Sequence, residues 1–119
     1  MKSRLRVITL FDRPPVRIDE DRWPVIAQAY DCDDHDTPAE STREWTLKIR
    51  RRGGQYLVYG VARSVRPGEP ALRRGGYLVD SLEDVGLLVV SLVERLGLSG
   101  WFPAHLGDAL LADLPSEVL

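Results

Sequence analysis

Cysteine is almost missing: the 119 residues contain only Cys32. That excludes an intramolecular disulfide framework and a multi-cysteine zinc site. Long apolar runs are missing too. None approaches the roughly 20 residues that a membrane-spanning helix needs. The stretch Val7-Ile8-Thr9-Leu10-Phe11 follows Lys2, Arg4 and Arg6 and precedes Asp12. It is too short for the apolar part of a secretory signal. The expectation is a soluble cytoplasmic protein with no membrane partner. Lysine is scarce: fourteen of the sixteen bases are arginine. Codon composition explains that as readily as a taste for phosphate.

Catalytic motifs are also lacking. Asp31-Cys32-Asp33-Asp34-His35-Asp36 is the one dense cluster of possible metal ligands. An EF-hand loop starting at Asp33 would end correctly at Glu44, but its sixth position is Pro38 where glycine is needed. Zinc would have only His105 to add to Cys32 and His35. No metal and no cofactor is expected. A Cys–His nucleophile is disfavoured because acids beside Cys32 raise a thiol pKa. The pairs Gly53-Gly54 and Gly75-Gly76 lack the Lys and Ser/Thr of a phosphate loop, and hairpin turns explain them better.

An ordinary globular balance is present, with 44% hydrophobic and 29% charged residues. The length suits one domain over residues 1–119, large enough for a core without staples. Charge is segregated. Residues 1–11 carry +3 and residues 12–44 carry −6. Residues 45–75 hold eight bases against Glu69, net +7, and residues 76–119 carry −6. Such blocks either neutralise one another inside the fold or present two faces to partners.

Residues 5–11 alternate as a strand, partly central, and Pro14-Pro15 should stop regular pairing. Val16 and Ile18 suit a short extended piece. A helix is expected next, opened by Asp19-Glu20-Asp21 and Pro24, with Trp23, Ile26, Ala27 and Tyr30 on one side. Trp45, Leu47 and Ile49 alternate with Thr46, Lys48 and Arg50. The turn Gly53-Gly54 then pairs Arg52 with Gln55, Ile49 with Val58, Lys48 with Tyr59 and Trp45 with Ala62. Residues 77–79 read as a short strand. Ser81 to Asp84 resembles a capping box before a helix that is apolar nearly all round and closed by Gly97 and Gly100. A last helix over residues 103–114 is expected, with Trp101 and Phe102 at its elbow. The order β-α-β-β-β-α-α implies an α+β fold: an antiparallel sheet of three to four strands with helices on one face.

Val7 to Ala29, Trp45-Thr46-Leu47, Val58-Tyr59-Gly60 and the segment from Arg73 to Gly97 resemble short accessory proteins of bacterial integrative conjugative elements and plasmids. The resemblance covers most of the chain, on structural positions. It implies cargo of a mobile genetic element, a class that includes inhibitors of host defence of anti-CRISPR or anti-restriction type. No catalytic residue comes with it.

Two functions are therefore in view. One is a non-enzymatic protein-interaction module whose Asp31, Asp33, Asp34, Asp36, Asp80, Glu83 and Asp84 present acidic surface to a basic site on a protein partner. The alternative is a nucleic-acid-binding module using Arg50, Arg51, Arg52, Arg63, Arg66 and Tyr59. The oligomeric state, monomer or homodimer, is left open.

Overall fold

A computed structural model describes residues 4–98. The expected helix over residues 103–114, the elbow Trp101-Phe102 and His105 lie outside the described residues. The fold is α+β: the described residues form six strands in two antiparallel sheets, one α-helix and a short 3-10 turn over Pro38–Glu40.

The secure nucleus is the hairpin of β4 (Arg43–Arg52) and β5 (Gln55–Ser64). Gly53 takes a φ of 58°, the left-handed conformation that a two-residue turn requires. Its register is the one the turn dictates, with Arg52 opposite Gln55, Ile49 opposite Val58 and Trp45 opposite Ala62. β6 (Leu72–Val79) pairs along β5 and is longer than expected. Gly75-Gly76 is therefore strand, not turn. The Phe11 ring lies over Gly75 where any side chain would clash. Phe11 also donates its N–H to the Gly76 carbonyl at 3.0 Å, so it covers part of the β6 edge.

β3 (Val25–Cys32) stands where a helix was expected. Trp23, Ile26, Ala27 and Tyr30 do fit a helical period, but Ala27 and Ala29 equally fit a strand period. Pairing with β4 decides between them: Ala27 meets Ile49 and Ala29 meets Leu47, with a bulge between Val25 and Ala27. The sheet order β3-β4-β5-β6 is a meander.

β1 (Leu5–Ile8) is not central in this sheet. It pairs with β2 (Val16–Asp19) in a separate two-stranded sheet. Pro14 and Pro15 sit in the connection and do not stop that pairing.

α1 (Leu82–Arg95) opens at Ser81, whose Oγ accepts from the Glu83 N–H at 3.2 Å. The Asp84 N–H goes to the Ser81 carbonyl instead, so the expected capping box is not made in full. The helix is one-sided rather than buried all round. Val85, Val89 and Leu92 are buried, whereas Leu87 is 74% exposed and Val90 59%. The buried stripe packs on Trp45, Leu47, Ile49, Tyr56 and Val58, the inner face of the four-stranded sheet. A second, smaller core joins Ile8, Leu10, Ile18 and Trp23 to Leu57 and Tyr59 on the outer face. α1 thus covers one side of the sheet, and the β1–β2 hairpin covers part of the other.

Candidate functional site

Strand alternation sets which side chains share the outer face. Gln28, Lys48 and Tyr59 form one row across neighbouring strands. Tyr30, Thr46, Val61 and Arg74 form the next, and Glu44, Arg63 and Leu72 the one after. The β1–β2 hairpin lies over Leu57 and Tyr59. Arg6 of β1 reaches the edge of the rows beyond them, where it lines a groove with Thr46, Val61 and Arg63.

The covered half explains two of the sequence candidates. Arg50 is only 5% exposed. Its Nε donates to Tyr59 Oη at 2.8 Å, and its Nη1 donates to the Trp23 carbonyl at 2.8 Å. Glu20 stands 3.9 Å from Nη2 and supplies the opposite charge. Burying a guanidinium is tolerable only with such partners. Arg50 and Tyr59 are therefore packing residues that tie the N-terminal hairpin to the sheet. They are corrected from the contact set expected from sequence. Glu20 is also bonded by Arg6, and that bond with the surrounding arginines holds its carboxyl below the usual range.

The uncovered half is cationic and mixed. Among the described residues Lys48, Arg63 and Arg74 have no acidic partner within ion-pair distance. They surround Thr46 and Val61. A groove of about 170 Å³ runs here between Arg6, Glu44, Thr46, Lys48, Val61 and Arg63. Tyr30 borders the face and is 52% exposed. Its hydroxyl donates to Glu44 Oε2 at 3.3 Å. The phenol is pushed up to about 12, first by its hydrogen bond with the Cys32 thiol, then by lost hydration and the Glu44 carboxylate. A neutral half-exposed ring on the same sheet face as three cations can stack a base while the cations meet phosphate.

The remaining basic candidates divide. Arg51 donates to the Gly53 carbonyl at 2.9 Å and lies 5.5 Å over the Tyr56 ring. Arg52 is exposed at the hairpin tip. Arg66 belongs to the acidic loop: Nη2 donates to Asp33 Oδ2 at 2.8 Å and Nε to Thr42 Oγ1 at 2.8 Å.

That loop is largely self-satisfied. Asp33 also accepts from the Thr42 N–H at 2.8 Å and from the Thr42 hydroxyl. These bonds hold its carboxyl far below the usual carboxylate range, the Thr42 hydroxyl contributing most. Asp34 accepts from the Thr37 hydroxyl at 2.6 Å and from the Thr37 N–H at 2.9 Å, and its carboxyl is also lowered. Asp31 accepts from the Cys32 N–H at 2.9 Å and holds His35 Nε2 at 2.7 Å, which pushes the imidazole up. Asp36 is exposed. Three of the four loop aspartates thus build the loop. The Cys32 thiol is buried and donates to the Asp34 carbonyl at 3.4 Å, while His35 turns to Asp31. Among the described residues no three His, Cys, Asp or Glu side chains gather as metal ligands.

The other acidic candidates stand apart at the start of α1. Asp80 accepts from Gln55 Nε2 at 3.3 Å. Glu83 and Asp84 are exposed in the first turn, where acids complement the helix dipole. A second cavity of about 360 Å³ opens between the ends of β4–β6 and residues 96–98. Its wall includes Arg43, held by Glu69 at 2.7 Å, with Ser64 also bonding that carboxylate.

Lys48, Arg74 and Tyr30 were not candidates by sequence. The hairpin register already placed Lys48 and Thr46 beside Val61. What was missing was β3: read as a helix, it gave no strand on that side of β4 and no place for Tyr30. No helix of the described residues is long and apolar enough to cross a membrane. No family model, curated protein or solved structure matches the chain.

Proposed function

We infer that this chain is a binding module without catalytic chemistry, acting in a bacterial cytoplasm, and that it holds single-stranded nucleic acid on the uncovered half of its four-stranded sheet. The observation behind this is the group Lys48, Arg63 and Arg74 without ion-pair partners among the described residues, on the same sheet face as the half-exposed ring of Tyr30. An open sheet with cations and an aromatic is suited to unstacked bases, because the cations follow phosphate and the ring gives a sequence-tolerant platform. The test is a salt titration of binding to single- and double-stranded oligonucleotides. Single strands should bind more tightly, with affinity falling steeply as salt rises. Each of Lys48→Ala, Arg63→Ala and Arg74→Ala should lower the salt slope by about 0.7, the counterion release of one phosphate contact. Background binding at low salt to both oligonucleotides overturns the assignment.

A second function is favoured by a different observation. Asp80, Glu83 and Asp84 form an exposed acidic group with no arginine or lysine partner among the described residues. A protein inhibitor of a host defence system could present that group to a basic site meant for nucleic acid. The resemblance to accessory proteins of conjugative elements supports this. A low-salt pull-down from host lysate tests it, and recovery of no stoichiometric protein partner counts against it.

A further inference from the structure

β3 is an edge strand: β4 pairs one side of it, and among the described residues nothing pairs the other. Its free side follows from the ladder. The Asp33 N–H reaches the Arg43 carbonyl, and the Arg51 N–H reaches the Pro24 carbonyl. In an antiparallel ladder, alternate residues turn both backbone groups to the same neighbour. Ala27, Ala29 and Asp31 therefore face β4, and Gln28 and Tyr30 turn their N–H and C=O outward. The next outward N–H, at Cys32, is taken by the Asp31 carboxylate at 2.9 Å.

Exposed edges are commonly blunted by lysine, proline or inward charge. β3 has neither lysine nor proline between Val25 and Cys32: its one charge, Asp31, is occupied by His35 and its own strand, and its bulge lies at the Val25 end. The opposite edge differs. On β6, Phe11 already donates to Gly76, which obstructs a strand arriving there. Head-to-tail pairing of β3 onto β6 of another copy, which would run on as a filament, is thus blocked. Pairing of β3 with β3 closes on itself around a two-fold axis.

We propose that two copies of this chain join through antiparallel β3–β3 pairing, with Gln28 of each opposite Tyr30 of the other. This register sets no like charges opposite one another: Asp31 meets Ala27 and Ala29 meets Ala29. The two four-stranded sheets become one of eight strands. Both α1 helices lie on one side of it. Lys48, Arg63 and Arg74 of both copies lie on the other, as one continuous surface.

The test is sedimentation equilibrium of the full chain under reducing conditions without nucleic acid, so that it does not depend on the binding assignment. Wild type should show twice the monomer mass, dissociating on dilution. Gln28→Pro removes an outward N–H without touching the β4 ladder, and should give a monomer with an unchanged far-ultraviolet circular dichroism spectrum. Gln28→Lys, which keeps the backbone donor and adds a charge at the interface, should weaken the dimer at least tenfold and keeps the test decisive if the proline variant misfolds. A wild type that stays monomeric at millimolar concentration overturns the proposal. So does a dimer that survives the folded Gln28→Lys variant unchanged.

Discussion

The acidic loop and the open sheet face are both dense in charge, yet they come to opposite ends. In the loop, residues 31–37, the aspartates lie within reach of backbone N–H groups, threonine hydroxyls, His35 and Arg66, and these consume them. On the sheet, Lys48, Arg63 and Arg74 share their face with Glu44, which lies opposite Arg63, yet among the described residues none of the three makes an ion pair. Charge in a sequence becomes a contact surface only where local geometry offers it no internal partner. Aspartate, short and close to its own backbone, finds such partners easily in turns. A long basic side chain standing on a strand does not.

Arg50 is the sharpest contrast with the open cations, since it shares their face but is buried. Arg50→Met should cost about 3 kcal/mol in urea unfolding, because it leaves the Tyr59 hydroxyl and the Trp23 carbonyl without their buried donor. Arg63→Met, three rows away, should stay within about 0.5 kcal/mol of wild type. Equal losses would erase the distinction between covered and open halves.

The loop can be broken next. The folded-state carboxyls of Asp33 and Asp34 are held below their unfolded values. Their contribution is therefore complete above about pH 4, the unfolded carboxylate range, and lost as pH falls through the lower folded values. Unfolding midpoints measured from pH 7 down to pH 2 should fall in acid. Asp33→Asn should have a lower midpoint at neutral pH and a shallower acid slope. His35 acts in the other direction: its raised value favours the folded state below about pH 6.5, and that gain fades as pH rises through the folded value. His35→Ala should flatten this smaller neutral-range dependence.

The smallest effect connects the two regions. Asp33→Ala releases Arg66, which otherwise donates to that carboxylate. Oligonucleotide affinity at low salt should rise by a few fold at most, as expected for one added phosphate contact. No change would mean that Arg66 cannot reach the bound strand.

Sequence reasoning found the register of the β4–β5 hairpin because a two-residue glycine turn leaves one pairing. It found Ser81 as the start of α1 by the same kind of local rule. It failed wherever partners distant in the chain decide. Residues 25–32 satisfy two periods, and only the β4 ladder selects the strand. The helix was read as buried all round because Leu87 and Val90 are apolar. Yet the helix packs on one sheet, and one sheet covers one side. For the site, Lys48 was on the right face but unnamed. Arg50 and Tyr59 were named, although Leu57 beside them already hinted that this part of the face would be covered. The cover itself, β1 with β2, could not be foreseen once Pro14-Pro15 was taken to end pairing.

Every strand pairing among the described residues joins neighbours along the chain, which favours fast search because each closure spans a short loop. The N-terminal hairpin is the exception in its packing. β1 and β2 meet locally, but their apolar side seats on Leu57, Tyr59 and Leu78, some forty to seventy residues later. Two strands alone are marginal in water. In pulse-labelled hydrogen exchange, amides of β4 and β5 should gain protection first, and those of β1 should follow only when the Arg50 guanidinium has closed on the Trp23 carbonyl.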